Sequence, residues 1–303
     1  MNATFRQLQL FLAVAEHRGV TAAARACHVT QPTVSMQLKD LSVAVGMPLF
    51  EQVGKQMYLT AAGEALAEAT RAMLKEWSAF EQEVAAMKGL TRGRLRIAVV
   101  STAKYFVPRI LGSFAKKHPD IEIALELLNR DRVVARLRAD QDDLYIMSVP
   151  PTDIDIVSHA FLPNPLLIVA AKHHPLATRK KILLSELKQE RFILRERGSG
   201  TRLAGDRQFA KLKFTPRIRL ELGSNEAIKQ SVAGEMGLGV ISQHALSAHP
   251  RQESLAVLPV TGFPIQASWW TIYRKGKRLS PIASAFLVHL EEAARVLRAA
   301  AKS

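Results

Sequence analysis

The hydrophobic positions of the first sixty residues fall into helical stripes and then into a short alternating stretch. Phe5, Leu8, Phe11, Leu12 and Ala15 recur at helical spacing and predict a first helix, with Gly19 as its C-cap. Residues 21–45 predict two short helices joined by a tight turn at 27–29. Thr21 is the expected N-cap of the first, whose Ala22, Ala23, Ala24 and Ala26 let a second helix cross at close range. Thr30 caps the second, Pro32 sits in its first turn, and Val34, Leu38, Leu41 and Val45 share one core-facing side. Gln31, Thr33, Ser35, Met36 and Gln37 stay outside near the helix start, where such groups reach base edges in a major groove. Residues 49–59 read as two short strands around a glycine turn with Lys55 at the tip, beside the phosphates. Together these make the winged helix-turn-helix plan; the plainer alternative is a helical hairpin with a solvated polar face.

Further on, the pattern lengthens. Thr60 caps a helix over about 61–87, in which Leu66, Met73, Phe80 and Met87 repeat every seven residues with Ala69, Trp77 and Val84 between them. Such a seam asks for a partner helix, so we expect a homodimer through residues 61–88, the alternative being a helix packed on its own domain. The stretch GLTRG at 89–93 breaks the helix and reads as a hinge. Beyond it strands and helices alternate: RLRIAVV, a helix over about 103–117, IEIALEL, a helix over about 131–138, then DLYIM. LLIVAA opens a second series, carried on by RFIL, RIRLEL and LGVIS with helices over about 201–212 and 225–233 between them. WWTIY and a last helix over about 281–300 return to the first lobe. The expected fold is α/β, with a winged helix-turn-helix domain at 1–60, a linker helix at 61–91 and a two-lobed effector-binding domain at 92–303. Lobe 1 takes about 92–163 and 267–303, lobe 2 about 164–266, each a mostly parallel sheet, as in hinge-bending solute receptors.

Composition changes this picture little. The 303 residues are 48% hydrophobic and 23% charged, ordinary for a globular chain. No apolar run is long enough to span a bilayer and no export signal is evident, so we expect a cytoplasmic protein with no membrane partner. The single cysteine, Cys27, is expected to be a small buried residue of the turn. Charge matters more. The net charge is +15, yet residues 1–60 hold five Lys/Arg against three acids, so most of the excess lies outside the reading domain.

Ligands of open α/β sheets collect beyond the carboxyl ends of strands, where helix N-termini offer free N–H groups. Ser101 and Thr102 follow the first such strand, Asn129 and Arg130 the next, and Asn225 a later one. Gly198 to Arg202, containing Ser199, Gly200 and Thr201, is the most suggestive turn: glycines admit a ligand to the backbone, Thr201 caps or donates, and Arg202 adds a fork of donors. Its alternative is a plain strand-to-helix turn. These helix starts and the basic charge favour an anionic effector, a sugar phosphate or a reduced dinucleotide phosphate such as NADPH, while Phe106 and Trp269 suit an aromatic ligand instead. No catalytic role, metal site or cofactor is expected. Gly234, Gly237 and Gly239 lie where a helix leads into a strand, the reverse of a dinucleotide fingerprint, and the nine histidines show no metal spacing. A solute receptor without a gene-regulatory role is the rival reading, at odds with the first sixty residues.

The run from FRQLQLFLAVAEHRGV through TVSMQLKDL to GMPLFEQ resembles the N-terminal domain of LysR-type transcriptional regulators. Within that family TVSMQLKDL, GMPLFEQVGK, RERGSGTR and LGSNEAIKQSVAGEMGLGVIS resemble the regulators of RuBisCO and Calvin-cycle operons. The resemblance implies a double-stranded DNA partner, a small effector between two lobes, a dimer or tetramer, and no chemistry. It departs at Met36, where many members carry a basic residue, so a contact made by that residue does not transfer.

Overall fold

The computed structural model describes residues 3–54, 56–87, 93–247 and 249–300. Lys55 and all but the last residue of the 89–93 break lie outside the described residues. The chain forms two units, Met1–Val84 and Ala85–Ser303.

In the first unit, α1 (Phe5–His17), α2 (Val20–Ala26) and α3 (Gln31–Val45) precede a hairpin of β1 (Phe50–Val53) and β2 (Gln56–Leu59), then α4 (Ala61–Met87). The apolar stripes meet in one core of Leu8, Phe11, Ala23, Ala24, Val34, Leu38 and Leu41, with Leu49 and Ala67 closing it. Two caps differ from expectation. Only two residues part α1 from α2, so the reversal must be tight, and its left-handed position falls on Arg18 (φ 52°). Arg18 is pinned there: its carbonyl accepts from the Met57 N–H, and its guanidinium lies over the Tyr58 ring at 5.4 Å. Gly19 therefore caps the start of α2, Thr21 falls inside that helix, and of the four alanines only Ala23 and Ala24 are buried. Cys27 is half-buried rather than enclosed.

Thr60 does cap α4, accepting from the Gly63 N–H at 3.1 Å. Gly63 is required at that point, since a Cβ would lie 2.1 Å from the Leu49 carbonyl oxygen. Leu66 of the expected seam packs on the unit's own core, whereas Met73, Trp77 and Phe80 stay exposed, with the Trp77 ring tilted against those of Phe5 and Phe80.

The second unit holds two five-stranded sheets. One runs in the order β4 (Ile121–Leu128), β3 (Gly93–Val100), β5 (Leu144–Met147), β12 (Ser268–Arg274), β6 (Ile156–Pro163), with α5 (Val107–Lys117), α6 (Arg130–Arg138) and α9 (Pro281–Ala300). The other runs β11 (Leu255–Leu258), β7 (Leu166–Ala171), β10 (Leu238–Ser242), β8 (Arg191–Arg195), β9 (Arg217–Leu222), with α7 (Gly200–Lys211) and α8 (Asn225–Ala233). Both sheets are mixed, not mostly parallel. β3 pairs in parallel with β4 and β5, and β8 with β9 and β10, but β12, β6, β7 and β11 enter antiparallel. The sequence reading missed β6, whose alternation is interrupted by Ser158, His159 and Pro163, and β11, which is only four residues long. The chain passes twice between the sheets, and the crossings brace one another: Asn164 N donates to Ala267 O at 2.8 Å, and Leu166 and Ile265 exchange backbone bonds. Each sheet buries its own core, and Phe106 and Trp269, the pair that would suit an aromatic ligand, are packed together with Phe161 inside the first.

Candidate reading helix and effector cleft

The start of α3 is built by its cap. The Thr30 hydroxyl accepts from the Thr33 N–H and pairs with the Thr33 hydroxyl at 2.8 Å, and Pro32 occupies a position whose N–H would be unpaired in any case. Gln31 and Ser35 are exposed and bonded to each other at 3.0 Å, one turn apart on the outer face. Met36 is 55% exposed, so an apolar tip projects beside these polar groups. Thr33 and Gln37 are half-buried at the edge of that face. This surface offers donors, acceptors and one flexible apolar group, with little net charge. It can select among base edges, while affinity must come from phosphate contacts.

The second candidate site lies where the two sheets of the larger unit meet. After β3 a 3-10 turn, Ser101–Tyr105, replaces the expected start of a long helix. It presents Ser101 and Thr102 toward Arg195 at the end of β8 and Asn225 at the start of α8. Arg195 is 2% exposed. Its Nη1 donates to Thr102 Oγ1 and Asn225 Oδ1, each at 3.3 Å, and its Nη2 to Ser101 Oγ at 3.2 Å and the Gly223 carbonyl at 3.3 Å. Its Nε and Nη2 also grip both oxygens of Glu196, at 2.8 and 3.0 Å. Asn225 completes the ring by donating to Thr102 at 3.1 Å. Beside it, the Tyr105 phenol donates to Glu226 at 2.6 Å across the same junction. Burial, then the adjoining carboxylate, push the phenol's pKa far up, so Tyr105 remains a donor. Burial also works against the Glu226 charge, but the hydrogen bonds from Tyr105 and Lys229 outweigh it and hold that carboxyl below its ordinary range.

Arg195 is the residue that reading the sequence overlooked. Attention to the glycine turn favoured Arg202, seven residues on. The structure places Arg202 among acids: its guanidinium bonds Asp206 and Glu221, each at 2.9 Å, and the Arg195 carbonyl. Burial opposes its charge, and those two carboxylates outweigh the burial and raise its pKa. Thr201 is buried in the first turn of α7 and is not the cap, since Ser199 holds that position and makes no side-chain cap bond. The cavity lined by Arg195, Thr201, Arg202 and Asp206 measures about 10 Å³, enough for one water. Asn129 caps α6 by accepting from Arg132 N, which employs its side chain locally. Arg130 does face the junction: its Nε bonds the Val149 carbonyl at 2.7 Å, and a Cβ on Gly200 would lie 3.8 Å from its Cδ. Burial, partly opposed by Asp131, lowers its pKa. The glycines of that turn do serve a close approach, since Gly198 (φ +85°) would place a Cβ 2.5 Å from Asp131 Oδ2. A signal pointing to Arg195 was available: a basic residue at the carboxyl end of the buried apolar run FIL in RFILR.

A trihelical unit with a hairpin wing, joined by a long helix to two α/β sheets that share a polar junction, defines a ligand-responsive DNA-binding regulator. Residues 5–64 match the family described as bacterial regulatory helix-turn-helix protein, lysR family, and residues 88–295 match the LysR substrate binding domain. The chain belongs to the LysR family of transcriptional regulators. It is 46% identical over 289 residues to the RuBisCO operon transcriptional regulator of Acidithiobacillus ferrooxidans, spanning 95% of this chain and 94% of that protein. It is 43% identical to the transcriptional activator CmpR of Synechocystis, covering 95% of each. Among solved structures, the CcmR regulatory domain of Synechocystis in complex with 2-PG is 46% identical, covers 67% of this chain and 98% of that one, and superposes with a TM-score of 0.65. Full-length CbnR complexed with its target DNA is 25% identical, covers 96% of this chain and 99% of that one, and has a TM-score of 0.67. No helix among the described residues is long and apolar enough to cross a membrane.

Proposed function

We propose that this regulator acts on carbon-fixation genes in the cytoplasm and that its effector is a small phosphorylated anion held at the lobe junction by Arg195. The observation that carries the reading is a guanidinium, 2% exposed, ringed by Ser101 and Thr102 from one lobe and Asn225 from the other. Arg130 supplies a second cation across from Gly200. The CcmR domain bound to 2-PG supports the ligand class, and the RuBisCO operon regulators support the gene class. Sugar phosphates and NADPH belong to the same chemical class. In this reading the exposed start of α3 contacts base edges through Gln31, Thr33, Ser35 and Gln37, with Thr30 and Pro32 shaping its end, Met36 giving an apolar contact and Lys55 a phosphate contact. A second copy covers Met73, Trp77 and Phe80 of α4, and the domain limits are those expected from the sequence, 1–60, 61–91 and 92–303.

The test is thermal melting and DNA footprinting of the full chain with millimolar 2-phosphoglycolate, ribulose bisphosphate or NADPH. A ligand binding only the native state at a hundredfold its Kd stabilises by about 2.7 kcal/mol, so a rise in melting temperature with an altered footprint is expected. If no phosphorylated compound shifts either, the effector reading falls.

A further inference from the structure

We propose that the Glu196 carboxylate is an internal stand-in for the effector's anion, so that a ligand binds Arg195 by exchange with it. This inference rests on Arg195 being the anion contact described above.

Arg195 and Glu196 are consecutive residues, and consecutive side chains of a strand point to opposite faces. A two-pronged pair between them needs a departure from the strand, and one is present. β8 ends at Arg195, the Glu196 N–H donates to the Leu222 carbonyl, and the Glu196 carbonyl accepts from Ser199 N, so the chain turns at this residue. The turn folds the carboxylate back onto the guanidinium at 2.8 and 3.0 Å. The Arg195 side chain is 2% exposed and that of Glu196 27%, so the carboxylate is the half of the pair that solvent reaches.

A guanidinium has five N–H donors, and here each finds an acceptor. Thr102, Asn225, Ser101 and the Gly223 carbonyl are neutral; Glu196 is the one anionic partner of Arg195 among the described residues. The guanidinium is enclosed by its own polar neighbours, and the cavity of about 10 Å³ beside it is too small for an anion. An incoming anion must displace something. Giving up a neutral partner would leave two anions on one cation, a repulsion strong at the low effective permittivity of a buried site. Giving up Glu196 frees two donors in a fork that matches two phosphate oxygens, and releases the carboxylate on its exposed side, where water can solvate it.

Exchange also sets a threshold that a ligand must exceed. A monocarboxylate brings the same charge as Glu196 without being tethered next to the guanidinium, so it competes poorly. A phosphate monoester carries about −1.5 to −2 at neutral pH and has a third oxygen for Ser101 and Thr102, so it can win. Glu196 thus holds every ligand's affinity down by one common factor, and a phosphorylated ligand, which gains most from the site, is the one that still binds.

The experiment measures binding of 2-phosphoglycolate, inorganic phosphate and glycolate to the full chain by calorimetry, for the parent, Glu196→Gln, Glu196→Asp and Arg195→Gln, with melting curves to establish folding. Removing the competing charge in Glu196→Gln should tighten 2-phosphoglycolate about tenfold, the worth of one charge-assisted hydrogen bond, and should tighten glycolate by no more than that factor, since closure of the site by Glu196 weakens every anion alike. Glu196→Asp, whose shorter carboxylate reaches the fork less well, should move the same way by a smaller factor and serves if the glutamine variant does not fold. Arg195→Gln should abolish binding of the phosphorylated ligand. If the parent binds 2-phosphoglycolate, Arg195→Gln loses it, and both Glu196 variants bind as tightly as the parent or more weakly, exchange is overturned while the effector site stands. If the parent binds no phosphorylated ligand, or Arg195→Gln binds as the parent does, the effector reading itself fails and exchange fails with it.

Discussion

The candidate reading helix and the proposed effector junction are opposites in construction. The outer face of α3 comes from the single short stretch 30–37, is largely exposed, and satisfies its polar groups within one turn, as Gln31 with Ser35 and Thr30 with Thr33. The Arg195 cluster is drawn from separate segments, with Ser101 and Asn225 respectively 94 and 30 positions away, and is buried. A contiguous exposed site can change its specificity with little effect on the fold. A buried site assembled from distant segments ties ligand response to stability, because each member holds another in place.

The sharpest test of that contrast is a site that is contiguous yet needs a partner. Replacing Trp77 and Phe80, 50% and 54% exposed, with serine should leave the monomer folded, part the dimer, and lower affinity for a two-half-site operator by about 10²-fold or more. Sedimentation and gel-shift titration check it, and a variant that stays dimeric would place the partner contact elsewhere. Next in size is Arg202→Ala. It leaves Asp206, Glu221 and the Arg195 carbonyl without their shared donor and should cost about 2 kcal/mol in urea unfolding while effector affinity shifts much less than in Arg195→Gln. Loss of ligand binding with unchanged stability would restore Arg202 to the effector site.

On the reading face, Ser35→Ala or Gln37→Ala should each cost about 1 kcal/mol on the specific operator and leave random DNA nearly untouched. Equal losses on both DNAs would show that this face only binds phosphates. The smallest effect concerns His244, packed tilted against Phe106 and edge-on to Trp269, whose pKa burial lowers from 6.5 although the Pro163 carbonyl partly opposes it. The unfolded chain then binds this proton more readily than the native one, so stability should fall as pH drops through the window below 6.5. His244→Gln should flatten that part of the pH–stability curve, and an unaltered slope in thermal melts from neutral to mildly acidic pH would rule the histidine out as its source.

Much of the fold was legible because its signals are local. Periodic apolar positions placed α3, α4 and the buried strands, Thr30 and Thr60 announced their helices, and the first sixty residues carried a plan recognisable without any distant contact. Caps at the α1–α2 reversal were misplaced because Arg18 is held by the wing, thirty-nine positions and more downstream. The antiparallel strands β6 and β11 escaped notice because one is broken by polar residues and the other is short, so that their pairing with β12 and β7 makes them strands.

The two arginines flanking the glycine turn mark the boundary between sequence and tertiary structure. The amino-acid sequence by itself determined that a basic residue would stand at a strand end beside a helix N-terminus, near Ser101, Thr102 and Asn225. Which arginine would sit at the lobe junction was decided only when β9 brought Glu221 against Arg202 and the other lobe brought Ser101 and Thr102 against Arg195. A guanidinium's availability depends on the charges and dielectric around it, and those are set by neighbours that chain position does not reveal.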